Sequence, residues 1–93
     1  MSEPLSENEI NEAIDELEGW SFSNDKISKE YKFSDFREAM AFMVRVGFEA
    51  EEQVHHPEIF NVYNTVSISL QTHDAGAKVT AKDVDLAKAI ERI

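Results

Sequence analysis

Residues 55 to 73 read HHPEIFNVYNTVSISLQTH, and this stretch decides the fold that we expect. From 66 to 70, valine, isoleucine and leucine alternate with serine, which is the pattern of a strand with one buried face. A second alternating run covers 59 to 63, and Asn64-Thr65 between the two runs is typical of a tight turn. The stretch therefore predicts a β-hairpin.

All the histidines of the chain lie at the two ends of this hairpin. His55 and His56 precede it, and His73 follows it. The histidine side chain in general has an unperturbed pKa of about 6.5, so it can take or give a proton near neutral pH. A proline disfavours helical geometry at the residue before it, so His56 is expected to be extended. We interpret the stretch as a proton-transfer site.

The residues before the histidines predict the longest helix of the chain. It is expected to begin at Ser34-Asp35 and to run to about residue 53. Its apolar stripe recurs at helical spacing and consists of Phe36, Ala39, Met40, Met43, Val46, Gly47 and Ala50. Off this stripe lie Phe42, Val44 and Phe48, which belong either to a wide core-facing surface or to a contact with a partner subunit.

Three residues of this helix carry separate expectations. Met40 and Met43 have the spacing of residues that fill the core. Gly47 costs about 1 kcal/mol relative to alanine within a helix. A close approach of the helix to the sheet would explain that glycine.

Two capping boxes predict helices near the ends of the chain. Ser6 and Glu9 have the spacing with which two side chains satisfy free backbone N–H groups, and a helix from about 7 to 18 should follow. Thr80 and Asp83 repeat the pattern before the last apolar stripe. The chain should therefore begin and end with an amphipathic helix.

A first hairpin is expected directly after the first helix. Gly19 is the predicted C-terminal cap of that helix. Alternating runs then cover 20 to 23 and 27 to 33, and Asn24-Asp25 between them is typical of a turn. Trp20 is expected to lie in the core.

The elements follow one another in the order α-β-β-α-β-β-α. Strands joined as hairpins and alternating with amphipathic helices are typical of the α+β class, with a four-stranded antiparallel sheet and three helices packed on one face. A chain of 93 residues has the length of one domain, so 1–93 is expected to be a single domain.

Composition excludes several classes of function. The net charge of -10 would repel a nucleic acid, so direct binding of DNA or RNA is not expected. The chain has no cysteine, which excludes disulfides and thiolate catalysis. The first residues lack the pattern of a signal peptide, and no apolar run is long enough to span a membrane. A cytoplasmic protein without membrane contact is expected.

The remaining chemistry is general acid–base catalysis without a cofactor. Glu51 lies four residues before His55, and Asp83 begins the last helix; either carboxylate would fix the tautomer of a histidine. Three histidines would suffice for a catalytic zinc ion, but neighbours on an extended segment point to opposite sides, so His55 and His56 are poorly placed to share one. The chain has no Gly-x-Ser-x-Gly motif and no glycine-rich phosphate loop.

These residues, taken together, resemble the pterin-4a-carbinolamine dehydratase family. The pattern begins with an acidic residue four before a His-His-Pro run and continues with an aromatic residue, a third histidine and a downstream aspartate. In this chain its members are Glu51, His55, His56, Pro57, Tyr63, His73 and Asp83. Position 54 departs from the pattern, because valine stands where some members carry an acidic residue. The resemblance extends from about residue 6 to the end of the chain.

The resemblance implies a lyase that converts 4a-hydroxytetrahydropterin into quinonoid dihydropterin and water. It implies that His55 and His56 supply the acid and the base, and that His73 orients the pterin and assists proton transfer. It also implies that Asp83 orients His73 and that Glu51 supports His55. Pro57, Thr72 and Asp74 would line the pterin site.

The resemblance further implies partners. Family members form dimers or tetramers, and their substrate is left behind by an aromatic amino acid hydroxylase. An alternative function is that of a protein-interaction module, a dimerisation cofactor for a transcription factor or hydroxylase that acts through its helix faces.

Overall fold

The computed structural model describes residues 3–93 and has the predicted order of elements. A 3₁₀ turn at His73–Ala75 lies between the last strand and the last helix. The elements are α1 (Glu7–Asp15), β1 (Ser21–Ser23), β2 (Lys26–Lys32), α2 (Phe36–Glu52), β3 (Glu58–Val62), β4 (Thr65–Leu70) and α3 (Ala81–Glu91). The prediction of three helices and four strands is therefore confirmed.

The four strands form one antiparallel sheet in the order β1-β2-β4-β3. The two hairpins meet where β2 pairs with β4, with Ile27 opposite Leu70 and Tyr31 opposite Val66. Because successive side chains of a strand point to opposite faces, this register places the buried residues of β4 on the same side as Ile27. The predicted alternation of β4 is thus a real division into a core face and a polar face.

The core lies between that face of the sheet and the three helices. Ile27, Val66 and Ile68 are fully buried and pack in one cluster with buried residues from all three helices. Trp20 is 6% exposed, as the sequence predicted for a core residue. Both predicted capping boxes are present, at Ser6 with Glu9 and at Thr80 with Asp83. The prediction of helices packed on one face of the sheet is confirmed.

The rotation of α2 about its axis differs from the predicted stripe. Ala39, Phe42, Val46 and Ala50 face the core, whereas Met40 is 45% exposed. Phe42 packs against Tyr31, with ring centroids 4.6 Å apart, so of the two alternatives for Phe42 the wide core-facing surface is the correct one. The prediction that Met40 fills the core is wrong, while Met43 is partly buried against the core as expected.

Gly47 does not mark a close approach of α2 to the sheet. Apart from its two chain neighbours and the adjoining helix backbone, a Cβ atom built on this residue would meet no atom of residues 3–93 within 4 Å. The expected reason for the glycine is therefore wrong, and Gly47 lies on the exposed side of α2 beside Phe48. That side of the helix leaves Phe36, Met40, Val44 and Phe48 exposed to solvent.

Two boundaries also differ from the predictions. The first helix ends at Asp15, three residues earlier than expected, and Gly19 takes its positive φ of 86° in the turn that follows. The turn of the second hairpin is Tyr63-Asn64, one residue before the predicted pair. Tyr63 adopts φ 49°, which the two-residue turn requires and which the sequence alone disfavours for tyrosine.

A carboxylate near the end of α3 fastens this helix to the first hairpin. Glu91 Oε2 accepts hydrogen bonds from Trp20 Nε1 at 3.2 Å, from Lys29 Nζ at 2.9 Å and from the Tyr31 hydroxyl. Burial raises the pKa of Glu91, but the bonds from Tyr31, Lys29 and Trp20 outweigh it and leave that pKa below its usual range. Burial and the neighbouring Glu91 raise the pKa of Tyr31, so its hydroxyl stays protonated and donates.

No helix of the described residues has both the length and the apolar character that a membrane crossing would need.

Candidate active site

The end of α2 sets the direction in which the histidines point. Val54 adopts φ 51°, its N–H donates to Glu51 O at 3.1 Å, and the His55 N–H donates to Ala50 O at 3.0 Å. This is the Schellman arrangement, in which a left-handed residue closes the helix and satisfies its last carbonyl groups. Glycine usually takes that position, and a β-branched residue there is strained. The chain therefore reverses sharply at Val54 and enters the histidine pair.

His55 points into the protein and contacts Asp83. Its Nε2 lies 2.5 Å from Asp83 Oδ1, and the side chains are 10% and 0% exposed. An ionised carboxylate can only accept hydrogen bonds, so Nε2 carries the proton in this pair. The neutral imidazole then has Nδ1 free to accept a proton, which is the arrangement a general base requires.

Asp83 accepts hydrogen bonds from three donors, of which His55 is one. Its second oxygen, Oδ2, accepts from the Thr72 hydroxyl at 2.9 Å and from the Thr80 N–H at 2.8 Å. The Thr80 hydroxyl lies 2.6 Å from the Thr72 hydroxyl. Because the Thr72 hydroxyl donates its proton to Asp83, the Thr80 hydroxyl is the donor in this contact. The residue that caps α3 is thus the residue that holds His55, and no buried side-chain polar atom of residues 3–93 lacks a partner.

His56 points the other way, towards solvent. Its Nε2 lies 2.8 Å from Glu51 Oε1 on the last turn of α2, and the side chains are 64% and 76% exposed. Consecutive residues of an extended segment face opposite sides, as expected from the proline at position 57. The two neighbouring histidines therefore have separate carboxylate partners.

The carboxylate partners of the histidines differ from those that the resemblance implied. Asp83 contacts His55 rather than His73, and Glu51 contacts His56 rather than His55. The spacing of four between Glu51 and His55 is effective only along a continuous helix, and α2 ends at Glu52. The left-handed Val54 turns His55 away from Glu51, so the implied pairing was wrong.

His73 completes the cluster from the far end of the second hairpin. It begins the 3₁₀ turn after β4, and its exposed side chain lines the same pocket as His55 and His56. An antiparallel hairpin brings its two ends together, so residues 18 positions apart in the chain meet here. The pocket has a volume of about 300 Å³ and is lined by Val54, His55, His56, Glu58, Ser69, Gln71, Thr72, His73, Asp74 and Lys82.

The pocket includes most of the residues expected in it and several that were not. Thr72 and Asp74 line it, whereas Pro57 is absent from its wall, and contact of these residues with a pterin stays a prediction. Glu58, Ser69, Gln71 and Lys82 were missed. Ser69 and Gln71 continue the alternation of β4 on its polar face towards His73, and that pattern could have revealed them.

The arrangement suits proton transfer. Two imidazoles are each oriented by a carboxylate, and a third lines the same pocket without a side-chain hydrogen bond to any of residues 3–93. Within the same residues, no three histidine, aspartate or glutamate side chains are grouped closely enough to hold a metal ion. The pocket can therefore place a small polar molecule against two proton-transferring groups at once.

Comparison with known proteins identifies similar chains. Residues 3–93 match the model of the family described as pterin 4 alpha carbinolamine dehydratase. A protein of Opitutus terrae, provisionally named pterin-4-alpha-carbinolamine dehydratase, is 54% identical over 89 residues, which cover 96% of this chain and 92% of that one. A protein of Sulfolobus acidocaldarius with the same provisional name is 44% identical over 96% of this chain and 97% of its own.

A solved structure has the same fold. The crystal structure of a protein from Brucella melitensis, described as a transcriptional coactivator/pterin dehydratase, superposes with a TM-score of 0.90. The two chains are 38% identical, and the match covers 96% of each.

Proposed function

This chain belongs to the pterin 4 alpha carbinolamine dehydratase family, and we propose that it is a lyase that dehydrates 4a-hydroxytetrahydropterin to quinonoid dihydropterin. The observation that carries the proposal is the pocket of about 300 Å³ lined by three histidines, two of which are fixed by carboxylates. A pocket of this size lies at the lower end of the range for small-molecule sites, which suits a bicyclic pterin.

The reaction needs two proton transfers and no other group. A base removes the proton from N5 of the pterin, and its electron pair forms the C4a=N5 double bond. The bond between C4a and oxygen breaks as an acid protonates that oxygen, which leaves as water. The substrate supplies the electrons, so the protein has to place one acid and one base at adjacent atoms.

His55 and His56 are the proposed acid and base. Asp83 and Glu51 accept the Nε2 protons of these residues, which leaves the Nδ1 atoms to exchange protons with the pterin. A carboxylate beside each ring also stabilises the imidazolium that forms when the ring takes a proton. His73 lines the same pocket and would orient the pterin there.

Asp74 is the proposed contact of the pterin ring. The 2-amino group and N3–H of a pterin present two parallel donors, and a carboxylate accepts such a pair with both oxygens. Asp74 is exposed at the pocket wall, whereas the other carboxylate there, Glu58, is bonded to Lys26 at 2.6 Å. The Thr72 hydroxyl is already committed to Asp83, so it shapes the wall rather than binding the ring.

The test is the rate of water loss from 4a-hydroxytetrahydropterin, followed by the absorbance of the quinonoid product. The purified protein should accelerate it over buffer at pH 7, and His56→Ala should lower the acceleration by about a hundredfold. His56 is exposed, so the variant should unfold at the same urea concentration as the parent. A protein that gives no acceleration over buffer would contradict the proposal.

The proposed place of the reaction is after an aromatic amino acid hydroxylase. Such an enzyme leaves its pterin hydroxylated at C4a. Dehydration gives the quinonoid dihydropterin, which a reductase can convert back to the tetrahydropterin. We place this recycling in the cytoplasm, with no membrane partner.

A second proposed function is interaction through the exposed side of α2. Phe36, Met40, Val44 and Phe48 form an apolar stripe there, and such patches commonly mark contacts between proteins. The similar Brucella protein is described as a transcriptional coactivator as well as a pterin dehydratase. A dimerisation cofactor for a transcription factor or a hydroxylase would use this stripe.

We propose a second copy of the chain as an occupant of the same stripe, in a homodimer or homotetramer. Two α2 helices packed antiparallel about Val44 would bring Arg37 of one copy to Glu51 of the other, which are opposite charges. Val44→Glu should lower the molar mass measured by light scattering, whereas alanine at both His56 and His73 should leave that mass and any partner binding unchanged. Loss of partner binding in the histidine variant would count against an independent interaction role.

A further inference from the structure

A second cavity, of about 490 Å³, adjoins the histidine pocket along α3. Its wall consists of Gln53, Lys82, Asp85, Lys88 and Arg92. Lys82 also lines the histidine pocket, so the two cavities share a wall residue. We call this second cavity the α3 groove.

The α3 groove concentrates positive charge in an acidic protein. The chain carries 19 acidic and 9 basic residues, and three of the basic ones are paired with carboxylates elsewhere, at Lys26, Lys29 and Lys78. Three of the other six line the groove, and none of these three forms an ion pair within residues 3–93. Among residues 3–93, Asp85 is the one acidic residue in the groove wall, so positive charge is in excess there.

The spacing along the helix sets the reach of the groove. Lys82 and Lys88 are six residues apart on α3, which corresponds to about 9 Å along the helix axis. Lys88 and Arg92 are four apart and therefore lie on the same side. A substituent that leaves the histidine pocket at Lys82 meets two further cations about 9 Å or more away.

We propose that the α3 groove receives an anionic substituent of the pterin, such as a phosphate ester or a carboxylate on the side chain at C6. The inference rests on the proposed function, because it assigns the ring to the histidine pocket. Lys82 would contact the linker between ring and anion, and Lys88 with Arg92 would bind the anion. The preferred substrates are then pterins that carry a negative charge at the end of the side chain.

The test compares three reduced pterins by isothermal titration calorimetry. They have the same ring and a C6 side chain that ends in a hydroxyl, a phosphate or a carboxylate. At low salt the wild-type protein should bind an anionic compound about tenfold more tightly than the neutral one, the combined effect of two exposed ion pairs. The preference should shrink as the ionic strength rises. The anion whose pterin binds more tightly relative to the neutral pterin is the preferred one.

Charge variants show where the preference arises. Lys88→Gln with Arg92→Gln should abolish it and leave the affinity for the neutral pterin unchanged, because neither residue lines the histidine pocket. The matched control is Lys32→Gln with Arg45→Gln, which also removes two positive charges, at exposed residues that line neither cavity, and should keep the preference.

The outcomes separate this inference from the proposed function. Equal affinity for all three compounds would overturn the inference and leave the proposed function standing. Loss of the preference in the control variant, Lys32→Gln with Arg45→Gln, to the same extent as in the groove variant would also overturn it, since net charge alone would then explain the effect. If none of the compounds binds, both proposals fall.

Discussion

His55 and His56 are neighbours in the chain, and each is hydrogen-bonded to a carboxylate, yet their surroundings are opposite. The His55 and Asp83 side chains are 10% and 0% exposed, and Asp83 is held by two further donors. The His56 and Glu51 side chains are 64% and 76% exposed, and no other side-chain hydrogen bond of residues 3–93 fixes them. One pair is part of the core, and the other lies on the surface.

The difference indicates a division of labour. Removing one partner of a buried charged pair leaves the other donors without an acceptor, which is costly, whereas an exposed pair can exchange its partner for water. The buried pair should therefore fix the geometry of the site and contribute to stability. The exposed pair should act on the proton of the substrate with little effect on stability.

The largest expected effect is that of Asp83→Asn. An amide cannot accept from His55, Thr72 and the Thr80 N–H together, so the free energy of unfolding should fall by about 3 kcal/mol. Urea unfolding measures this loss, and the dehydration rate should fall with it because His55 loses its fixed tautomer. A variant as stable as the parent would show that the buried network does not anchor α3.

Glu91→Gln extends the comparison to a second carboxylate of α3 that accepts several hydrogen bonds. At pH 7 the substitution should lower the free energy of unfolding by about 1.5 kcal/mol, because three donors lose a charged acceptor. The folded pKa of Glu91 lies below its usual value of 4.5, so its contribution is complete above pH 4.5 and is lost as the pH falls further. Urea unfolding of both proteins between pH 3 and 7 should show the gap closing, and a constant gap would contradict this account.

Val54→Gly tests the turn that separates the two pairs. Val54 is 76% exposed and adopts φ 51°, so glycine would relieve backbone strain and lose little packing. Thermal unfolding should show a gain of about 1 kcal/mol. Ala41→Gly, at an exposed position within regular helix, is the control, and it should destabilise the protein by about 1 kcal/mol.

Glu51→Gln should have the smallest effect on stability. Exposed pairs contribute little, so the free energy of unfolding should change by less than about 0.5 kcal/mol. The dehydration rate should nevertheless fall, since His56 loses the carboxylate that stabilises its charged form. A loss of stability as large as that of Asp83→Asn would erase the distinction between the two pairs.

Local patterns in the sequence were sufficient to predict most of the fold. The alternation of β4 and the capping boxes at Ser6 and Thr80 are short-range signals, and the structure has each element that they predict. The core-facing side of α2 was predicted only in part, because several positions of that helix are apolar. The sequence placed Met40 in the core, where it does not lie, and only packing against Tyr31 decides between the two alternatives for Phe42.

The partners of the histidines could not be predicted from spacing. Glu51 has the spacing of a partner for His55 only if the helix continues, and nothing in the sequence shows that valine would take a left-handed conformation at position 54. The contact between His55 and Asp83 joins residues 28 positions apart and depends on how α3 packs beside the end of α2. Long-range contacts of this kind follow from the assembled core.

The hydrogen bond from the Thr80 N–H to Asp83 has a consequence for the motions of the protein. The same carboxylate closes the first turn of α3 and holds His55, so fraying of that turn also releases the histidine. The exchange rate of the Thr80 amide hydrogen with deuterium thus reports how often the site comes apart. A ligand that binds only the assembled site should slow that exchange, so that the exchange rate follows the fraction of protein without ligand.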